Sequence, residues 1–282
     1  MDINSMKALF IECIFRNEYE EETILSTATG FLIRRNERIY LVTNRHVVTG
    51  KDNFSGKLLD LEKAGRPNEL KVYLYNEIFL EEDKIDWWAN ESYLPLYETI
   101  EIDEGKKLWM EHPIWKEKID VIAMDITEHC QRRCQVLERV RKCRVDTALY
   151  EKELTILSKP KVTDEVWLLG YPYGYSSTAS DGYFPVWSRG TIASEYEKKL
   201  CVPMDAIQKE MPYENIPAFL VDARTRKGQS GSPVIQKIGD ITFLLGIYSG
   251  RTNPESDLGY VWKTQLIEEI IAQAKASRET RI

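Results

Sequence analysis

The chain has 282 residues, of which 43% are hydrophobic and 29% are charged, and this composition excludes disordered, collagen-like and low-complexity chains. At roughly 150 residues per domain, the length predicts two packed units or one large all-β body. The net charge of −7 argues against non-specific nucleic-acid binding as the main activity.

The N-terminal region shows no targeting pattern. Its longest apolar run, 8–11, is followed at once by Glu12, so neither a signal peptide nor a membrane span is predicted. The five cysteines are an odd set without an export signal. They predict reduced thiols and a cytoplasmic protein.

Short runs rich in β-branched and aromatic residues recur along the chain and predict strands. The first three lie at 8–15, 28–33 and 39–43, with a hairpin turn at 34–38. Further strands are predicted at 70–75, 99–102, 121–126, 165–169, 190–193, 218–221, 234–235, 242–248 and 259–262. Short strands without long helices between them predict barrels or a sandwich.

Two segments have helical periodicity. The Arg-rich stretch 128–144 spaces Val136, Leu137 and Val140 as one face of a helix. This spacing favours a helix that links two halves of the chain. The basic residues of the stretch also fit a surface for an acidic partner. After residue 263, apolar residues recur at helical spacing and predict a terminal amphipathic helix.

The segment 51–118 carries Trp87, Trp88, Trp109 and Trp115 among charged residues. One interpretation is an elaborated loop packed on the first half of the chain. The other is an aromatic surface, over 87–115, that meets a protein regulator or overhangs a substrate cleft, since Trp is favoured at binding hot spots. The sequence leaves both interpretations open.

The segment GQSGSPV, residues 228–234, places Ser230 between glycines whose backbone allows a tight turn. In such a turn the N–H groups of Gly228 and Ser230 converge on one point, as an oxyanion hole requires. Nucleophilic catalysis by serine also needs a base and an acid that orients the base.

The base and the acid have few candidates. Of the three histidines, His46 lies where the apolar strand 39–43 meets a polar break, after which Val47 and Val48 resume the apolar pattern. Asp120 enters the strand 121–126, and Asp125 is the rival acid. The two carboxylates face opposite sides if the strand alternates, and the entrance position favours Asp120.

Seven motifs occur in the order found in the bacterial chymotrypsin-like (trypsin-like) serine peptidases, which the sequence resembles. They are TGFLI (29–33), TNRHVV (43–48), DVIAM (120–124), LGYPYG (169–174), GTIAS (190–194), GQSGSPV (228–234) and LLGIYSG (244–250). The motif SGSP, preceded by Gln229, is similar to the corresponding motif of the glutamyl-endopeptidase and HtrA-type branch. An activating ion pair with a new N-terminus is not expected, because Gln229 stands where zymogens carry aspartate.

The resemblance implies an all-β, chymotrypsin-like double β-barrel with a helical or loop insertion between the barrels and an extra C-terminal helix. It implies an N-terminal barrel over 1–127 with His46 and Asp120, a connection over 128–160, a second barrel over 161–262 with Ser230, and a helix and tail over 263–282. It further implies a serine endopeptidase that acts on a peptide or protein substrate through an acyl-enzyme. No cofactor, no nucleic-acid partner and no membrane association are expected. The alternative is a catalytically silent scaffold with the same fold.

The family's S1 pocket maps onto 222–229 and 246–251. Arg224, Thr225, Tyr248, Ser249 and Gly250 are its expected residues. Thr225 matches glutamyl-specific relatives, but Tyr248 stands where they carry a histidine for the substrate carboxylate. The substrate preference therefore stays open.

Histidine and cysteine are zinc ligands, and they occur together at His129, Cys130, Cys134 and Cys143. Their spacing does not form the two close ligand pairs that are typical of structural zinc sites, so no metal is predicted. His112, in EHPIW, lies shortly before Asp120. A role in loop structure is favoured over support of the acid.

Overall fold

The computed structural model describes residues 2–53, 56–59, 65–79, 85–98, 105–130, 143–144, 149–151, 153–154, 159–179, 182–202 and 215–279. Its N-terminal sheet contains β1 Ala8–Arg16, β2 Glu22–Arg35, β3 Arg38–Thr43, β4 Glu69–Phe79, β5 Ile85–Pro95 and β6 Ile122–Asp125. These form a half-barrel in the order β5-β4-β1-β2-β3-β6. Two short strands from the connecting segment, β7 Cys143–Arg144 and β8 Leu149–Tyr150, pair with β4 and β2.

The C-terminal sheet is a closed barrel. Its strands are β9 Glu165–Gly170, β12 Val186–Ile192, β13 Ala218–Ala223, β14 Pro233–Ile238, β15 Ile241–Arg251 and β16 Leu258–Lys263, in the order β12-β13-β16-β15-β14-β9. A small hairpin, β10 Ser177–Ala179 and β11 Gly182–Phe184, lies between β9 and β12. The predicted all-β, chymotrypsin-like double barrel is confirmed.

The described part of the chain also contains the α-helices α1 Arg45–Thr49 and α2 Thr264–Glu279 and short 3₁₀ turns at Ile3–Met6 and Pro172–Gly174. The predicted C-terminal helix is α2, and Leu266, Ile267, Ile270 and Ile271 are its buried face. Of the stretch 128–144, residues 128–130 are helical, and the face of Val136, Leu137 and Val140 lies outside the described residues.

In β1, in β3 and over 28–33 of β2, buried residues lie on both faces of the sheet, and this places the interface between the sheets. In β1, Leu9 and Ile11 face the core of the half-barrel, while Ala8 and Phe10 face a second core. The second core contains residues of both barrels and the buried face of α2. Because side chains alternate along a strand, both cores are built from one continuous apolar run.

Two local expectations were wrong. Val47 and Val48 do not resume a strand; they belong to α1, which the αL residue Gly50 ends. The segment 51–118 is not only a loop, because β4 and β5 pair over eleven residues as a long hairpin. The strand predicted at 99–102 lies outside the described residues.

No helix in the described part of the chain is long and apolar enough to cross a bilayer. The cytoplasmic location and the domain boundaries stay predictions.

Candidate active site

His46 and Asp120 are brought together by the pairing of β3 with β6. The last pair in this ladder is Thr43 with Ile122, so the residues just beyond each strand end meet. The Nδ1 of His46 lies 2.7 Å from Oδ2 of Asp120, and its backbone N–H donates to Oδ1 at 2.9 Å. The side-chain amide of Asn44 donates to the Asp120 carbonyl at 2.7 Å. The buried carboxylate therefore fixes the imidazole, with Nδ1 as its donor and Nε2 left to act as a base.

The charge of Asp120 also sets the proton affinity of the imidazole. Burial on its own lowers the pKa of His46, but the negative charge of Asp120 and the hydrogen bond to it outweigh burial. The charge of Asp52 acts in the same direction. The pKa of His46 consequently lies above its ordinary value.

Ser230 lies in the turn between β13 and β14 and is partly buried. Its hydroxyl donates to the carbonyl oxygen of Ser249 at 3.0 Å. Among the described residues, no hydrogen bond joins this hydroxyl to the His46 ring. A rotation of the Ser230 side chain is thus required before proton transfer, and such loose geometry is common before substrate binds.

Ser249 connects Asp120 to Ser230 through hydrogen bonds. Its hydroxyl donates to Oδ2 of Asp120 at 2.5 Å, while its carbonyl accepts from Ser230. The sequence placed Ser249 in the pocket wall, and no local pattern signals this contact, because it spans 129 residues of chain.

The backbone N–H groups of Gly228 and Ser230 are the predicted donors of the oxyanion hole. Neither N–H has a hydrogen-bond acceptor among the residues that the structure describes. Gly228 and Gly231 have φ values of 93° and 88°, in the region that favours glycine. A Cβ at Gly228 would lie 2.2 Å from the Tyr171 carbonyl oxygen, and one at Gly231 would lie 1.9 Å from that of Thr29. Both glycines are therefore required by this turn.

Two buried residues brace the turn and were not assigned this role from the sequence. The Gln229 side chain accepts from Arg226 N at 2.8 Å and donates to the Ser188 hydroxyl at 2.9 Å. Thr29, from β2, donates through its hydroxyl to the Gly228 carbonyl at 2.8 Å and through its N–H to the Ser230 carbonyl at 2.8 Å. The half-barrel thus holds the turn of the other barrel that carries Ser230.

Two of the residues predicted for the substrate pocket, Thr225 and Tyr248, are buried. The hydroxyls of Thr225 and Tyr248 are hydrogen-bonded, and the Tyr248 ring packs on Gly259, where a Cβ would lie 2.4 Å from Cε2. Burial raises the pKa of Tyr248 to about 12, although Arg251 and Arg226 act in the opposite direction. Of the other expected pocket residues, Arg224 is exposed and Gly250 is half-buried.

The remaining candidates lie elsewhere. Asp125, the rival acid, pairs with Arg38 at 2.5 Å. The buried His112 accepts the N–H of Trp115 on Nδ1 at 3.1 Å and contacts Glu269 of α2 through Nε2 at 2.7 Å. His112 thus organises its loop and ties the loop to α2.

The zinc and tryptophan candidates fall partly beyond the described residues. Cys134 lies outside them, as do the side chains of Cys143, Trp87 and Trp88. Within the described part, the side chain of Cys130 is buried, and no group of three or more potential metal ligands occurs. Trp109 is buried against Tyr97, with ring centroids 5.3 Å apart.

No protein-family model and no curated protein matches this chain. Among solved structures it is similar to the active form of the Rv3671c protease from M. tuberculosis, with 16% identity and a TM-score of 0.48 over 95% of this chain and 81% of that chain. It is also similar to an inactive form of the same protease, with 17% identity and a TM-score of 0.44 over 96% of this chain and 89% of that chain. A serine endoprotease from Yersinia pestis is similar as well, with 14% identity and a TM-score of 0.49 over 97% of this chain and 66% of that chain. At such identities and TM-scores these similarities carry no information on activity, so any function rests on the geometry of the site.

Proposed function

We propose that this chain is a serine endopeptidase that forms an acyl-enzyme on Ser230. The observation that carries the proposal is the connected set of Ser230, Ser249, Asp120 and His46. It lies beside two N–H groups that have no acceptor among the described residues. A nucleophile, an oriented base and oxyanion donors are the parts that serine-based acyl transfer needs.

The reaction follows from these positions. The Ser230 hydroxyl turns from the Ser249 carbonyl toward Nε2 of His46, gives its proton to that nitrogen and attacks the substrate carbonyl carbon. The amides of Gly228 and Ser230 receive the negative charge on the carbonyl oxygen. The imidazolium, stabilised by Asp120, then protonates the leaving amine. Water, deprotonated by His46, hydrolyses the ester and restores Ser230.

Within this class we place the chain nearest the glutamyl-endopeptidase and HtrA-type enzymes. Gln229 before the nucleophile and Thr225 five residues upstream support this placement. Tyr248, which contacts Thr225, departs from the glutamyl-specific pattern. The proposal therefore leaves the substrate side chain open.

The test is covalent labelling by a fluorophosphonate probe, which reports an activated serine without knowledge of the substrate. We expect the wild-type protein to label, and Ser230→Ala to abolish labelling and lower turnover by about 10⁶ if the site acts as a unit. Ser232→Ala is the matched control, because this buried neighbour packs against Gly170 and should leave labelling intact. Less than a tenfold loss in Ser230→Ala would contradict the assignment. A wild-type protein that neither labels nor cleaves casein would support the catalytically silent alternative.

A further inference from the structure

Asp120 lies in a loop that closes on β6. The backbone N–H of Met110 donates to the Ala123 carbonyl at 2.8 Å, and the N–H of Ala123 donates back to the Met110 carbonyl at 3.1 Å. We call the segment between these two residues the Asp120 loop. Inside it, the N–H of Lys116 donates to the His112 carbonyl at 2.9 Å and forms a tight turn. The position of the carboxylate therefore depends on the residues that hold this loop.

His112 links the Asp120 loop to the C-terminal helix. Its Nδ1 accepts the backbone N–H groups of Ile114 and Trp115 at 3.3 and 3.1 Å, so the proton of the neutral ring is on Nε2. Nε2 then donates to Oε2 of Glu269 in α2 at 2.7 Å. The side chain of His112 is 1% exposed, and that of Glu269 is 41% exposed. Rotation of the buried ring would break its bonds to the loop and to α2 together.

The neighbouring residue, Glu111, links the same loop to α1. Its Oε1 accepts from Nε of Arg45 at 3.1 Å, and both side chains are mostly buried. Lys107 and the indole N–H of Trp109 donate to the same oxygen at 3.1 and 3.2 Å. Burial alone would raise the pKa of Glu111, but Lys107 and Arg45 outweigh burial and lower this pKa, so the carboxylate is charged. Because Arg45 precedes His46, the ion pair holds the start of the helix that carries the base.

The helix α1 is too short to be stable alone. It has five residues, whereas an isolated helix of fewer than about 12 is marginal in water, so its position depends on tertiary contacts. Two of these contacts run to the Asp120 loop. The N–H of His46 donates to Oδ1 of Asp120 at 2.9 Å, and Arg45 pairs with Glu111. A displacement of the loop would therefore move the base and the acid together.

The helix α2 is continuous with the barrel that carries the nucleophile. It begins at Thr264, directly after β16, and β16 pairs with β15, which contains Ser249. The bond between His112 and Glu269 therefore links the Asp120 loop of the half-barrel to the other barrel. It fixes the base and the acid relative to a part of the molecule in which Ser230 is also fixed.

We propose that Glu111 and His112 are positioning residues that align the base and the acid with Ser230. The inference rests on the proposed serine-peptidase function. His112 takes its position from Glu269 of α2, and the adjacent Glu111 passes that position to α1 through Arg45. Neither residue touches the reacting atoms, so both act through the Asp120 loop.

Substitutions of Glu269 test the link to α2. Glu269→Ala removes the acceptor of His112, whereas Glu269→Gln keeps an acceptor oxygen. Glu268→Ala is the matched control, because Glu268 pairs with Arg35 of β2 instead of the Asp120 loop, and its side chain is 46% exposed. For each variant, kcat and KM on p-nitrophenyl acetate and the rate of fluorophosphonate labelling are measured well below the Tm, which is also determined.

We expect Glu269→Ala to lower kcat and the labelling rate about 10- to 100-fold, because a displacement of about 1 Å by a distant substitution can cost about 10²-fold. KM should change less than about twofold. Glu269→Gln should restore most of the rate, and Glu268→Ala should keep the wild-type rate. Unchanged kcat in Glu269→Ala would overturn the inference. So would an equal loss in Glu268→Ala, which would assign the effect to general docking of α2, or in Glu269→Gln, which would assign it to the charge.

A double-mutant cycle tests whether the two links act through one loop. Arg45→Met removes the ion pair, while Lys107 and Trp109 still bind Glu111. This variant should also lower kcat, and the combined loss in Arg45→Met with Glu269→Ala should be smaller than the product of the single losses. Unchanged kcat in Arg45→Met, or losses that multiply, would overturn the inference. A wild-type protein that does not label contradicts the proposed function itself, whereas a protein that labels equally with and without these substitutions contradicts only the positioning role.

Discussion

Asp120 is a buried carboxylate whose charge is compensated by donors from two barrels. It accepts from the backbone N–H and the Nδ1 of His46 and from the hydroxyl of Ser249. A buried charge is costly unless it is paired and hydrogen-bonded, and these donors supply that compensation. The same contacts prevent the imidazole from turning, so the acid acts on both the orientation and the pKa of His46.

The pH dependence of activity should report the raised pKa of His46. The imidazole accepts the serine proton only when neutral, and a raised pKa keeps it protonated to higher pH. The acid limb of kcat/KM should therefore lie above the ordinary value of about 6.5. Asp120→Asn should move the limb to lower pH and reduce kcat by about 10⁴. Both effects are measured with p-nitrophenyl acetate across the pH range.

Asp125→Asn is the matched control for this experiment. Asp125 is the rival acid of the same segment, and its carboxylate pairs with Arg38 rather than with an imidazole. The control should keep the wild-type limb and rate. An equal shift in both variants would show that the electrostatic effect does not depend on contact with His46.

At the scale of elements, the strands of the double barrel were predictable where local patterns agree with the tertiary environment. The runs in β1 and β3 are apolar because both of their faces are buried. The strand β5 was missed because it carries charged residues and forms one end of the sheet, so its pairing with β4 decides its conformation. The helix α1 was missed because Val47 and Val48 are β-branched residues, which are more typical of strands than of helices.

The residues of the candidate site also divide into those predicted from local motifs and those recognised only from long-range contacts. His46, Asp120 and Ser230 were named from motifs that are contiguous in sequence. The contacts of Ser249 with Asp120 and of Thr29 with Gly228 join segments 129 and 199 residues apart. No local pattern carries such contacts, since they exist only after both sheets pack.

The helix α2 should contribute strongly to stability through its buried face. Ile267 and Ile270 are fully buried in the core shared by both barrels, beside Ile119 and Val121, which flank Asp120. Ile267→Ala should lower the free energy of unfolding by about 2–5 kcal/mol. Gln273→Ala, on the exposed side of α2, should change it by less than about 0.5 kcal/mol. Urea unfolding measures both values, and equal midpoints for the two variants would contradict the packing of α2.

At the scale of the whole molecule, the two barrels meet at the nucleophile turn. Thr29 of the half-barrel is fully buried and contacts three parts of the other barrel or its loops: the Gly228 carbonyl, the Ser230 carbonyl and the Tyr171 N–H. Its own carbonyl accepts the Thr43 hydroxyl, which leads back to the strand before His46. One residue thus couples the packing between the barrels to the shape of the turn that carries Ser230.

Thr29→Val tests that coupling, because valine keeps the shape of threonine and removes the hydroxyl. The Gly228 carbonyl and the Tyr171 N–H would lose this partner in a buried site, which should cost about 1–3 kcal/mol of unfolding free energy. The freed turn should also lower the rate of fluorophosphonate labelling. Thr29→Ser keeps the hydroxyl and should retain most of the unfolding free energy and most of the labelling rate.

Thr264→Val is the matched control. The Thr264 hydroxyl donates to the Leu244 carbonyl at 2.7 Å within the C-terminal barrel. Its loss should therefore reduce stability and leave labelling of the folded protein unchanged. Equal labelling rates in Thr29→Val and Thr264→Val would mean that the contact between the barrels stabilises the fold without shaping the site.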